Sequence, residues 1–349
     1  MCCKEQLEGE RMVTIKDIAK ATGVSPSTVS RVIADNSRIS EETKAKVRKA
    51  MGDLGYFPNL TARNLAVKST KTIGVILPSS ADKSLQNPFF SEILRGIGSV
   101  THKLQYSMML SSGQTEEEIY AEVQRIVLGS YVDGIILLYS RLNDRVTQFL
   151  VEKDFPFVIV GKPQEVNDRT TYVDNDNIQA GEDITSHLIE TGHNRIAFIG
   201  GAKDLVVTID RMQGYTNALK KADIPILEEY LIHTEFLKSG GKEAVEKILR
   251  LPERPDAVVV SDDLISIGVI GMLEESGLSV PEDISLVSFN NAYLSEIIHP
   301  ALTTIDIQIY KLGVESAKAI IEKKIGIDDP KRIIIPHYII YRDSVKRKS

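Results

Sequence analysis

The chain contains no tryptophan, and its two cysteines, Cys2 and Cys3, sit side by side near the start. The first absence excludes a sugar site built on a stacked indole. Adjacent cysteines make no useful staple, and no Cys or His stands at zinc-ligand spacing, so no disulfide framework, metal or cofactor is expected. No stretch approaches the roughly 18 unbroken apolar residues of a membrane span, so no membrane partner is expected. The leader MCCKEQLEGER, residues 1–11, lacks the apolar run of a signal peptide. It reads as a disordered tail, with Met12 as an alternative natural start, and the protein is expected to stay in the cytoplasm. Enzyme signatures are missing too. There is no GxxxxGK(S/T) phosphate loop, no GxGxxG fingerprint and no GxSxG elbow, and the six histidines are scattered.

With 349 residues, the chain is too long for one ordinary core and suits a small domain joined to a large one. Its net charge of −6 is unevenly placed. Residues 12–68 hold ten Lys/Arg against five Asp/Glu, a local +5, whereas residues 69–349 carry −10. Only the first module therefore suits a polyanion.

Within that module, Thr14–Ala21 reads as a short helix with Thr14 as cap, Asp17 in its first turn and Ile15, Ile18 and Ala19 as its apolar stripe. Gly23 permits a sharp turn. A second helix follows Ser25, with Pro26 at its first position, where a missing N–H costs nothing. Val29, Val32 and Ile33 would face the core, and Pro26, Ser27, Ser30 and Arg31 would face outward. A third helix is expected from about Ser40 to Gly55. Helix, glycine turn, helix is the arrangement that enters the DNA major groove, where Arg grips guanine and Ser bonds to bases or phosphates. Three short helices alone would equally fit a small bundle that binds protein.

The runs TIKDIAKATGVSPSTVSRVI, SEETKAKV and LGYFPNLTARNL resemble the LacI/GalR family of repressors in order and spacing. The resemblance implies DNA contacts from Thr14, Ser25, Pro26, Ser27, Thr28, Ser30 and Arg31, with Pro26, Ser27 and Arg31 reading bases. It also implies a hinge helix after Pro58, with contacts from Asn59, Ala62 and Leu65, in which Leu65 wedges between base pairs of the minor groove. Two turns of helix are marginal alone in water, so such a segment would fold only when bound, and apolar wedges kink DNA. Without the resemblance, the same stretch reads as an ordinary interdomain linker. The domain boundaries that follow are a leader (1–11), a helix-turn-helix domain (12–57), a hinge and linker (58–72) and a core (73–349).

After Thr72, short apolar runs alternate with amphipathic stretches. The apolar runs are 73–77, 106–110, 134–138, 157–160, 196–199, 257–260 and 285–289. Helical stretches are expected at 89–102, 116–128, 143–153, 178–191, 211–222, 240–250 and 263–275. Such alternation predicts parallel sheets with helices on both faces, and ligands of these sheets bind beyond the carboxyl ends of the strands. The resemblance spans roughly residues 12–345. It implies an all-α reading head on an α/β two-lobed, periplasmic-binding-protein-like core, with crossings between lobes near Asp174, Asp306 and Asp328. It also implies a homodimer, since no tetramerising heptad tail follows Arg342.

Asp262 and Asn290 follow strands, and Arg211 follows a loop after Gly200-Gly201. Together they supply acceptors and a donor fork for a polyol. Each alone would usually be a cap or a surface ion pair; family position assigns them to the ligand. Phe89 and Phe90 are expected to offer a sugar face a ring, one of them being core instead. Lys162 and Asp176 are expected to face the cleft. The stretches IVGKP and YVDNDN are most similar to maltose-type repressors of Gram-positive bacteria, which implies operator DNA as one partner and a maltose-like sugar as inducer. The alternative is a regulator that needs a purine or a phosphorylated carrier protein as corepressor.

Overall fold

A computed structural model describes residues 13–33, 35–56, 69–165, 170–324 and 330–348. The chain divides into two compact units, residues 1–70 and 71–349.

The first unit holds α1 (Ile15–Thr22), α2 (Pro26–Ile33) and α3 (Glu41–Asp53). The Asp17 carboxylate accepts from the Thr14 N–H at 2.9 Å and from the Thr14 hydroxyl at 2.7 Å, which fixes the start of α1. Gly23 ends it with φ +69°, a conformation strained for any residue with a Cβ. The Ser25 hydroxyl accepts from the Thr28 N–H at 3.1 Å and so caps α2. Ile18, Ala19, Val29, Val32, Val47 and Tyr56 close a small core, with Ile33 half-buried against it. Asn59, Ala62 and Leu65 lie outside the described residues.

The second unit consists of two lobes, each built on a six-stranded sheet. In the first lobe, β1 (Thr72–Ile76), β2 (Ser107–Ser111), β3 (Gly134–Leu137), β4 (Phe157–Val160) and β5 (Thr171–Asp174) lie in the order 5-4-3-1-2. Helices α4 (Ala81–Ser84), α5 (Pro88–Lys103), α6 (Glu116–Leu128) and α7 (Arg145–Glu152) connect them. The second lobe repeats this with β6 (Ile196–Gly200), β7 (Leu231–His233), β8 (Ala257–Val260), β9 (Ser285–Phe289) and β10 (Thr303–Asp306) in the order 10-9-8-6-7. Its helices are α8 (Asn177–Glu190), α9 (Val206–Lys221), α10 (Lys238–Leu249), α11 (Asp263–Glu275) and α12 (Leu294–Ile297). These ten strands pair in parallel. Several are buried along their whole length, as runs such as Ala257–Val260 require when helices cover both faces. No helix of the described residues is long and apolar enough to cross a membrane.

Three crossings join the lobes. The first follows β5, and the second leads from β10 into α13 (Ile309–Lys324), which packs back on α5, β3, β4 and β5. The third differs from expectation. Asp328 lies outside the described residues, and the chain first adds β11 (Arg332–Ile334) to the first sheet, parallel to β5. It crosses only at residues 335–337, before β12 (Tyr338–Ile340) pairs antiparallel with β10. The ladder to β5 holds the chain in the first lobe for those extra residues.

The other departure is α9, which begins at Val206 rather than at 211. Arg211 is therefore inside a helix, in its second turn, and not at the end of a loop. Close packing fixes this helix: a Cβ on Gly214 would lie 2.0 Å from the Ile178 carbonyl oxygen, so α9 and α8 meet backbone to backbone.

Candidate functional site

On the first unit, Pro26, Ser27, Ser30 and Arg31 are exposed along one side of α2, opposite buried Val29 and Val32. Ser25, also exposed, bonds to the hydroxyls of Ser27 at 2.8 Å and Thr28 at 2.9 Å. Thr14 is exposed at the start of α1. Among the described residues the Arg31 guanidinium has no ion-pair partner, so it is available to an outside anion or base edge.

Between the lobes lies a cavity enclosing about 770 Å³ of empty space, its solvent-open part included. It sits where ligands of doubly wound sheets bind, beyond the carboxyl ends of strands and near the points where strand order reverses. Pro78 follows β1, Tyr139 and Ser140 follow β3, Gly161 follows β4, Asp262 follows β8 and Asn290 follows β9, and all of them line it.

Asp262 is the polar centre. It caps α11 by accepting from the Leu264 N–H at 2.7 Å. Its other oxygen accepts from Asn87 Nδ2 at 2.8 Å and from Asn290 Nδ2 at 2.7 Å. Asn87 belongs to the first lobe, so this bond spans the cleft. Asn290 has φ 105°, left-handed territory in which Asn is better tolerated than most residues. Burial pushes the Asp262 carboxyl above its ordinary value, against the pull of these donors and of Arg211.

Arg211 is 4% exposed. Its Nε donates to Asn177 Oδ1 at 2.9 Å and Nη1 to the Ser261 carbonyl at 2.6 Å. Its guanidinium lies 4.3 Å from the centre of the Phe289 ring. Burial lowers its pKa to about 10, still charged at neutral pH. Asn177 in turn donates to Asp174 at 2.9 Å, and burial raises that carboxyl to about 6. Behind this wall, Asp263 accepts from Ser288 at 2.6 Å, Thr304 at 3.1 Å and the Ala292 N–H at 2.7 Å. Burial raises Asp263 to about 7.

Most of the rest of the wall is apolar, Ser140 and Asn175 excepted. Phe89 and Phe90 meet edge to face with centroids 5.2 Å apart, and both line the cavity, as do Leu205, Val207, Phe236 and Leu312. A cavity that joins fixed hydrogen-bonding groups to aromatic faces can hold a polyhydroxylated ring by its edge and its C–H face.

Phe89, Phe90, Arg211, Asp262 and Asn290 thus converge on one space. Lys162 and Asp176 are placed elsewhere. The Lys162 ammonium turns to Asp210 at 2.8 Å. Asp176 is exposed and caps α8, accepting from the Gln179 N–H at 3.0 Å. Sequence reasoning missed Asn87, Asp174, Asn177 and Phe236. The Asn-Pro pair at 87–88 signals a helix cap, and Asn87 does accept from the Phe89 N–H at 2.9 Å while its amide reaches across the cleft. Phe236 follows β7, a three-residue strand too short to leave a periodic trace.

Two family profiles match the chain: bacterial regulatory proteins of the lacI family over residues 14–59, and the periplasmic binding protein-like domain over residues 185–345. The HTH-type transcriptional regulator MalR of Streptococcus pneumoniae is 40% identical over 314 residues, covering 89% of this chain and 92% of its own. A solved complex of the transcriptional regulator CelR with cellobiose is 31% identical, with a TM-score of 0.75, over 95% of this chain and 99% of that one. The lac repressor dimer bound to operator and the anti-inducer ONPF is 26% identical, with a TM-score of 0.82, over 96% of this chain and 100% of that one. The chain therefore belongs to the lacI family of bacterial regulatory proteins and is a transcriptional regulator, not an enzyme.

Proposed function

We propose that this regulator represses a sugar-utilisation operon, binding a two-fold operator as a homodimer and leaving it when maltose or a related glucoside enters the interlobe cavity. The observation that carries this reading is the cluster of Asp262, Asn87, Asn290 and Arg211 on the wall of a cavity that also presents Phe89, Phe90 and Phe236. Its charged groups are opposite in sign and buried, which suits a neutral ligand rich in hydroxyls better than an anion. The similarity to MalR and to CelR, solved with cellobiose, supports the same ligand class.

On this reading Pro26, Ser27 and Arg31 read bases in the major groove, with Thr14, Ser25, Thr28 and Ser30 setting the approach. Asn59, Ala62 and Leu65 act in the hinge, Leu65 as the wedge. Symmetric dimers read symmetric half-sites. Sugar-driven closure changes the spacing of the two hinges in the dimer, and hinge helices that cannot pair melt, since two turns are unstable alone.

The test is operator binding with and without saturating maltose and cellobiose, beside calorimetric titration of each sugar. Release by either sugar supports the reading. Tighter operator binding with sugar makes the ligand a corepressor and reverses the sign of the switch. Release by neither removes the glucoside assignment.

A further inference from the structure

Among the described residues three ion pairs join the lobes, and all three run the same way. Lys83, Arg141 and Lys162 are in the first lobe, and Glu235, Asp204 and Asp210 are in the second. The distances are 2.9 Å for Lys83–Glu235, 2.8 Å for Arg141–Asp204 and 2.8 Å for Lys162–Asp210. Each carboxylate immediately precedes a residue of the cavity wall: Asp204 precedes Leu205, Asp210 precedes Arg211, and Glu235 precedes Phe236. On the other side, Arg141 follows Ser140 and Lys162 follows Gly161, which also line the cavity. Backbone bonds reinforce one pair: the Leu142 N–H donates to the Asp204 carbonyl at 2.9 Å, and the Val206 N–H donates to the Ser140 carbonyl at 3.1 Å.

We infer that these six residues form an electrostatic clasp, positioning residues that hold the lobes closed and seat the second lobe's wall against the ligand space. Opposite charges segregated by lobe attract only when the lobes approach, so the clasp biases a two-state equilibrium without touching ligand. Lys162–Asp210 dominates it, because the Asp210 side chain is only 12% exposed; Arg141 is shared between Asp204 and Glu116 of its own lobe, and Lys83–Glu235 is open to solvent and screened. Affinity for an uncharged sugar then depends on ionic strength, a dependence the sugar itself cannot create.

The part of this inference that concerns affinity rests on the sugar reading above, so the test begins with a readout that needs no sugar. Spin or fluorescent labels at K153C and E246C, in the full chain with both leader cysteines replaced by serine, report the distance between lobes. Asp210→Lys should lengthen it, and so should raising salt from about 0.1 M to about 1 M, where the screening length falls from roughly 10 Å to roughly 3 Å. Adding Lys162→Asp to Asp210→Lys reverses the pair and should restore the closed distance. In the same proteins, Asp210→Lys should weaken maltose binding by roughly two- to tenfold, and the reversed pair should recover it. A distance that ignores both salt and Asp210→Lys, or a double variant no better than the single one, overturns the clasp. Absence of both maltose and cellobiose binding in the parent protein refutes the sugar reading and leaves the distance test to decide the clasp.

Discussion

Replacing Asp262 by Asn isolates the polar centre of the cavity, because the shape is kept and one acceptor is lost. The carboxylate serves four donors: the Leu264 and Ile265 N–H groups at 2.7 and 3.4 Å, and the amides of Asn87 and Asn290 at 2.8 and 2.7 Å. An asparagine can keep its oxygen on the helix cap, but its NH₂ then faces two other NH₂ groups. Two buried donors lose their acceptor, at about 1–3 kcal/mol each. Removing a carboxylate whose charge burial already disfavours offsets part of this, so a net loss of about 1–4 kcal/mol is expected. The broken Asn87 bond also spans the lobes, so closure weakens along with ligand grip. Denaturant unfolding should show the stability loss, operator affinity without sugar should match the parent, and sugar should no longer release the operator. A variant with parental stability and a parental sugar response would refute the reasoning, since the hydrogen bonds to Asp262 would then carry neither.

Arg31→Ala should lose far more affinity for the operator than for random duplex in gel-shift titrations; equal losses would reduce Arg31 to a phosphate contact. Leu65→Ala should lower DNA bending, read by fluorescence transfer across the operator, and leave calorimetric sugar binding unchanged; an undiminished bend would remove the wedge. Burial pushes the Asp263 carboxyl up to about 7 in the folded chain from 3.8 as a free side chain, so between those values the folded state binds the extra proton and stability should fall as pH rises. Asp263→Asn should flatten that fall in urea midpoints measured across the window, and an unchanged slope would place the titration elsewhere.

The repeating βα pattern was legible because fully buried strands such as Phe157–Val160 are unbroken apolar runs. The reading head was legible for a similar reason: capping residues and a glycine turn mark its helices chemically. Strands β5, β7, β10, β11 and β12 were not among the apolar runs: β5 and β10 carry Thr and Asp within four residues, and the other three are only three residues long, too short to carry a period. The cavity was half legible. Asp262 and Asn290 follow strands that the pattern reveals, and position along a strand predicts that end of the sheet. Asp176 also follows a strand, yet the chain turns there into α8 and spends the carboxylate on the cap, while its neighbours Asp174 and Asn177 turn inward. Which of four consecutive polar residues faces a ligand is set by the crossing between lobes, a tertiary fact with no local signature.

That crossing is tied to the other two, which would make the proposed closure a concerted movement. Asn175 stands in the first crossing, and its amide donates to the Ile307 carbonyl in the second at 3.1 Å and to the Ile335 carbonyl in the third at 2.8 Å. The Ile335 N–H returns a bond to the Asp174 carbonyl at 2.8 Å. Three chain segments that could each flex alone are thereby tied into one hinge, so a change at one must be matched by the others. Asn175 and Ile307 also line the cavity, with Asp174 and Asn177 on either side of Asn175 in sequence. A ligand that engages Asn177 and Arg211 therefore presses on the hinge itself, and rigid lobes carry the small rotation made there out to their far ends. Amplification of this kind requires lobes that do not deform, and the close backbone packing of α8 on α9 at Gly181 and Gly214 resists deformation where Arg211 is held.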